Sequence, residues 1–162
     1  MRGNEDTYDT AQVCLNGHIT TSSFHDNPQF RKKFCDKCGQ VTVTACSACK
    51  AEIRGSYRGS MSTHKHRAPG YCHECGKPYP WTETRLDAAR LLTDEIAELD
   101  DSEKTLLKAS IDELIADTPS TPLAVVRFKK YAAKGGRELA HGLKDILVDM
   151  VSETVRKAIW GA

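Results

Sequence analysis

Residues 34–50 read Phe34-Cys35-Asp36-Lys37-Cys38-Gly39-Gln40-Val41-Thr42-Val43-Thr44-Ala45-Cys46-Ser47-Ala48-Cys49-Lys50. Two Cys-x2-Cys pairs stand here with a β-branched run between them. Each pair has the length of a tight turn that points both sulfurs at one ion. Val41–Thr44 has the composition of a strand. Working outward, a third pair follows at Cys72 and Cys75, and a related pair, Cys14-x3-His18, precedes. Glycine sits after Cys38 and after Cys75, and Gly17 lies inside the first turn. Positive φ at such glycines frees backbone N–H groups to donate to the sulfurs.

The count closes without remainder. All seven cysteines of the 162-residue chain lie between Cys14 and Cys75. An odd number argues against a closed set of disulfides. Seven thiolates and His18 make eight ligands, enough for two tetrahedral ions, and thiolate-rich tetrahedra favour zinc. Iron in a rubredoxin-like site competes less well, because one pair contains histidine. Cys14, His18, Cys35, Cys38, Cys46, Cys49, Cys72 and Cys75 are therefore the expected metal ligands, holding two structural Zn²⁺. His25, His64 and His66 are the other histidines that could fill the eighth place. His18 is preferred because its spacing puts it on the turn of Cys14. His73, inside the last turn, is expected to face solvent.

Sequential pairing makes one site of Cys14, His18, Cys35 and Cys38, and the other of Cys46, Cys49, Cys72 and Cys75. The intervening stretches, 19–34 and 50–71, suit zinc ribbons built from short hairpins. A cross-brace of alternate pairs, as in RING-type domains, uses the same ligands, and so does pairing of the middle two. Phe34 and Tyr71, each just before a pair, are expected to close a small core over the metal.

The chain changes character near Pro78-Tyr79-Pro80-Trp81-Thr82. Residues 1–81 have few large aliphatics, and a unit so poor in core needs a staple. Two close prolines are expected to break regular structure there. Residues 82–162 have no cysteine and show helical periodicity throughout. Leu86, Ala89, Leu92, Ile96 and Leu99 mark a helix over about 84–99, opened by Thr84 and Asp87. Asp100 and Glu103 form a capping-box signature for a second helix, with Leu107, Ser110, Ile111, Leu114 and Ile115 inward. Thr121-Pro122 reads as N-cap and first residue of a third, which Gly135-Gly136 stops. A fourth is expected over 137–159, with Leu139, Leu143, Ile146, Leu147, Met150, Val151, Val155 and Ile159 inward. The fold class expected is small α+β, with tandem zinc ribbons over 1–81 followed by a four-helix bundle-like region over 82–162.

Composition excludes some functions. At 40% hydrophobic and 28% charged residues the chain is ordinary for a soluble protein. No apolar run approaches the ~20 residues that span a bilayer. The polar, acidic start does not read as a secretory signal, which points to the cytoplasm. Residues 1–81 carry eleven basic and seven acidic groups, a formal +4. Arg31-Lys32-Lys33 and a basic loop over 54–67, with Arg58, His64, Lys65 and His66, suggest nucleic acid, and Tyr57 and Tyr71 could stack on bases. Seven thiolates and two Zn²⁺ bring that half to about +1. The helical half carries twelve basic and fifteen acidic groups. Nucleic-acid binding is thus an alternative rather than the leading reading.

Neither H-E-x-x-H nor G-x-x-x-x-G-K-[ST] nor G-x-S-x-G occurs. His141 has no evident Cys or Ser partner and reads as a surface residue. No catalytic residue is assigned. Four protein ligands per ion leave no open position for water, so the zinc is expected to be structural.

At the level of these motifs the chain resembles a bacterial family of uncharacterised two-zinc-ribbon proteins with a helical C-terminal half. The resemblance rests on Cys14-Leu-Asn-Gly-His18, Phe34-Cys35-x2-Cys38-Gly39, Cys46-x2-Cys49, and Tyr71-Cys72-x2-Cys75-Gly76 with Pro78–Thr82. It continues through Thr118-Pro119-x-Thr121 and Arg127-Phe128-Lys129-Lys130. It implies bacterial origin and zinc binding. Lys50, standing where such turns usually have glycine, is a departure that leaves the shape of that turn open. The function expected is a non-catalytic interaction module, assembling with itself or a protein partner through the helical half, the last helix and Trp160 above all. The Pro78–Trp81 segment is a second candidate contact surface. The alternative is a nucleic-acid-binding regulator.

Overall fold

Strands are short in the N-terminal region because few apolar side chains are available to hold them. The computed structural model describes residues 7–59 and 66–161. The chain divides into two compact units, Met1–Glu83 and Thr84–Ala162. The architecture is small α+β, with the strands and cysteine turns first and the helices after.

In the first unit β1 (Tyr8–Thr10), β2 (Gln12–Cys14), β3 (Ile19–Thr21), β4 (Thr42–Val43) and β5 (Arg54–Tyr57) form two sheets. One is three-stranded and antiparallel in the order β3-β2-β4, and the other pairs β1 with β5. β4 is the strand expected over 41–44, reduced to its centre. β5 lies where a loop is expected. Arg54–Tyr57 is paired to β1, with Tyr8 opposite Tyr57 and their rings edge to face at 5.4 Å. His64 and Lys65 fall outside the described residues.

The core of this unit is small: Ala11, Val13, Ile53, Cys46, Cys72, Tyr79 and Trp81. Phe34 and Tyr71 are exposed and do not cover the metal turns, contrary to expectation. Tyr79 and Trp81 take that place, stacked at 4.7 Å. Tyr79 and Trp81 of the Pro78–Trp81 segment are therefore part of the core. The segment is tied down by Tyr79 N–H to Gly70 O, by the Trp81 indole N–H to Pro69 O, and by the Thr82 hydroxyl to Gly70 O.

Gly55 is required by close approach. A Cβ there would stand 2.3 Å from Ser22 O and 2.8 Å from Asp9 O. The Asp9 carboxylate, fully buried, accepts backbone N–H groups from Thr10, His25 and Asp26. Burial would raise its pKa, but these N–H groups and Arg58 outweigh that and hold it below the usual carboxylate range.

Helix α1 spans Pro80–Asp94. It starts earlier than expected because proline is tolerated in the first helical turn, where its missing N–H has no partner to lose. Ile96 and Leu99 lie beyond its end yet remain buried. α2 (Asp101–Ala116) opens with the expected capping box of Asp100 and Glu103. α3 spans Thr121–Ala132, with Ser120 rather than Thr121 as its N-cap. The helix expected over 137–159 is two, α4 (Gly136–Leu147) and α5 (Glu153–Trp160), because Ser152 caps a fresh start by accepting Val155 N–H. The expected inward residues hold across the break. Leu143, Leu147, Val151 and Val155 are buried, and Leu139, Ile146, Met150 and Ile159 pack against them. Trp160 packs edge to face on Phe128 at 5.9 Å, so the last helix spends its apolar face internally.

Candidate metal centres

Each Cys-x2-Cys turn is the tip of a miniature hairpin closed by a single bridge. The bridges are Phe34–Val41, Ala45–Glu52 and Tyr71–Pro78. Inside each, the same two backbone bonds recur. Cys35 N–H donates to Gln40 O, Cys46 N–H to Ala51 O, and Cys72 N–H to Lys77 O, at 2.8–2.9 Å. Gly39 N–H donates back to Cys35 O, Lys50 N–H to Cys46 O, and Gly76 N–H to Cys72 O. The residue making the second bond has φ of 74° at Gly39, 73° at Gly76 and 66° at Lys50. Lys50 thus adopts the glycine conformation despite its Cβ, and its ammonium donates to Ser47 O. The departure from glycine leaves the turn intact, at the cost of left-handed strain in a residue that favours it little.

The turns meet in sequential order. Cys14, His18, Cys35 and Cys38 form one group, and Cys46, Cys49, Cys72 and Cys75 the other, each with its ligand atoms within 4.8 Å of one another. The cross-brace and the middle pairing are not what the structure adopts. All seven cysteines are free thiols. His18 enters through Nδ1, which lies 3.5 Å from Cys14 Sγ and 3.7 Å from Cys35 Sγ. His25 instead meets Glu52, and His66 meets Arg54 O. His73 is on the surface beside Glu74, and His141 is exposed beside Asp145.

The spacings fit an ion. A tetrahedral metal with bonds to sulfur of ~2.3 Å and to nitrogen of ~2.0 Å sets S···S near ~3.8 Å and S···N near ~3.6 Å. The observed S···S separations are 3.7 Å for Cys14–Cys38, 3.8 Å for Cys46–Cys75 and 3.6 Å for Cys49–Cys72. These are far too long for disulfides, which need ~2.05 Å.

Backbone donors prepare the sulfurs for charge. His18 N–H points at Cys14 Sγ and Glu74 N–H at Cys72 Sγ. The Gln40 N–H brings Cys38 down to about 6, and the Cys75 and Glu74 N–H groups bring Cys72 down to about 6. Burial raises Cys14. Cys49 accepts the Ala51 N–H, which lowers it, yet burial and the sulfurs of Cys72, Cys75 and Cys46 push it up to about 12. Four such groups cannot all ionise side by side without a cation between them.

In each group the first cysteine of a Cys-x2-Cys turn is buried and the second exposed. Tyr79 and Trp81 share a buried cluster with Cys46 and Cys72, an association that spacing does not reveal. Only their place just after the last turn hints at it.

The family model described as "Uncharacterized protein conserved in bacteria (DUF2321)" matches residues 7–159. The chain belongs to that family. No curated protein and no solved structure matches it.

Proposed function

We propose that the chain is a non-catalytic zinc-binding module, in which two structural Zn²⁺ ions fix the first unit and the helical unit offers a surface for protein–protein assembly. The observation that carries this reading is the closure of both centres. Each group offers four candidate ligand atoms within 4.8 Å of one another, a set that would leave a bound tetrahedral ion no coordination position for water or substrate. The donor sets, three thiols with an imidazole and four thiols, suit zinc above harder ions. Thiols kept reduced for this purpose belong in the cytoplasm.

The assembly part rests on uncovered apolar side chains. Leu123 and Val126, three residues apart on α3, are 52% and 62% exposed. They sit beside Lys129 and Lys130 on the same helix, an apolar strip edged with positive charge.

The nucleic-acid alternative loses support from the way its cations are used. Arg58 pairs with Asp26 and faces Asp9, Lys32 pairs with Asp36, Arg31 donates to Phe24 O, and Arg54 lies over the Tyr8 ring. Two experiments separate the readings. Light scattering on the wild type and on Leu123→Asp/Val126→Asp should show association that the double variant loses; a strict monomer counts against self-assembly. Retention on DNA or RNA that falls steeply with salt would favour the alternative, and none is expected at low salt.

A further inference from the structure

Two helices leave large apolar side chains in solvent. Leu123 and Val126 do so on α3, and Leu91 on α1 is more exposed still, at 67%. Leu91 and all of α3 lie in the second unit. The residues around them repeat one pattern. Ala88, Leu91 and Glu95 follow at steps of three and four, and so do Leu123, Val126 and Lys130. All six are exposed. Such steps keep side chains on one face of a helix. Glu95 stays in line with its face because its N–H closes the last turn of α1 on Leu92 O.

The two strips match in spacing and are opposite in charge. Carboxylates edge the one on α1, at Asp87, Asp94 and Glu95, and ammonium groups the one on α3, at Lys129 and Lys130. Asp87 is paired with Arg90 and Asp94 with Lys108. Glu95, Lys129 and Lys130 make no ion pair among the described residues. In both strips the apolar pair comes first and the charge follows toward the helix C-terminus. Two such helices lying side by side in parallel set apolar on apolar and carboxylate on ammonium. Laid antiparallel, each would set its charge against the apolar end of the other.

We propose that the α3 strip is covered by α1 of a second copy of this chain: Ala88, Leu91 and Glu95 of one copy pack in parallel and in register on Leu123, Val126 and Lys130 of the other. The proposal rests on the assembly part of the function proposed above and names the partner. Each copy carries both strips. The contact therefore either forms twice across a two-fold axis or runs head to tail from copy to copy. Three side chains from each helix make a small patch beside the ~1,200–2,000 Å² of a stable interface. Association is therefore weak and rises with concentration. The exposed pair of Glu95 with Lys130 makes it weaken with salt.

The test is analytical ultracentrifugation of the full-length chain over a range of concentrations at low salt. Every residue substituted is exposed, so circular dichroism should show each variant folded as the wild type is. The wild type should associate, and Leu91→Asp should abolish association as fully as Leu123→Asp/Val126→Asp. Glu95→Lys and Lys130→Glu should each weaken it by up to about tenfold. Both changes in one chain should restore it, since the two charges then face each other reversed. Leu91→Asp that associates like the wild type overturns the proposal, and so does a Glu95→Lys/Lys130→Glu chain that associates no better than the single variants. Either result leaves α3 as an assembly surface for some other face. If Leu123→Asp/Val126→Asp also associates like the wild type, the assembly reading of α3 falls with the proposal. A wild type that stays monomeric at the highest concentration overturns pairing between copies and leaves a different protein as the occupant of α3.

Discussion

His18 Nδ1 lies 3.5 Å from the sulfur of Cys14, four residues before it, while the His18 N–H points at that same sulfur at 3.3 Å. One residue thus offers both a candidate metal-binding nitrogen and a donor to the neighbouring sulfur. Gly17, at φ 88°, turns the chain so that it can. Replacing His18 by Ala should cost the first centre its ion and leave the second loaded. Native mass spectrometry would then count one zinc instead of two. His18→Cys restores a four-ligand set and should restore the count.

Gly55 has no room for a methyl group. The nearest atoms to a Cβ there are backbone atoms of Ser22, Thr10 and Asp9, which cannot swing aside as side chains do. Gly55→Ala should destabilise the first unit by about 1–3 kcal/mol in denaturant unfolding at saturating zinc. Gly70→Ala, where the nearest atom to the added Cβ is the Thr82 hydroxyl at 3.4 Å, is a control at a glycine with room for a methyl group.

Lys50 holds a conformation that glycine adopts more easily. Lys50→Gly should keep or raise the stability of the loaded first unit, by up to about 1 kcal/mol once glycine's greater freedom in the unfolded chain is offset. Gly76→Lys should lower it. Chelator competition at the second centre reads both, and a loss of affinity in Lys50→Gly would show that the lysine contributes more than its backbone.

Asp9 makes the first unit sensitive to acid. Its folded pKa lies below the ordinary 3.8 because backbone N–H groups and Arg58 favour the anion over the opposing effect of burial. A depressed carboxylate pKa stabilises the fold above the unfolded value. That contribution is lost as the pH drops from there through the folded value. Asp9→Asn should therefore cost about 1–3 kcal/mol at neutral pH. The gap between variant and wild type should narrow below about pH 4. Urea unfolding of both proteins across that range measures the gap, and a constant gap would remove the carboxylate's charge from the account.

The two Cys/His clusters were legible in the sequence because residues that share a turn lie close together whatever the rest of the chain does. A pair such as Cys46 and Cys49 must share a turn, and eight such residues divide into two fours. The helical stripes were legible for a similar reason, since Leu143, Leu147, Val151 and Val155 keep one face inward whatever happens between them. The break at 148–152 was harder to see, because that face continues across it and only Ser152 marks the new cap. Phe34 and Tyr71 misled because residues flanking a turn alternate sides of a hairpin, and theirs is the outer side. Pro80 misled because proline breaks a helix in its middle but starts one at its end. Asp9 and Gly55 carry no local signal. Their roles depend on backbone brought together by pairing of β1 with β5.

Two zinc ions, each enclosed by four protein ligands, are proposed to hold the first unit. Zinc quantified against protein on the folded full-length chain, with X-ray absorption on the same sample, tests this most directly. Two zinc ions per chain are expected, sharing seven sulfurs and one nitrogen with no bound water. Well under two zinc in a folded sample, or oxygen in the coordination shell, would contradict it.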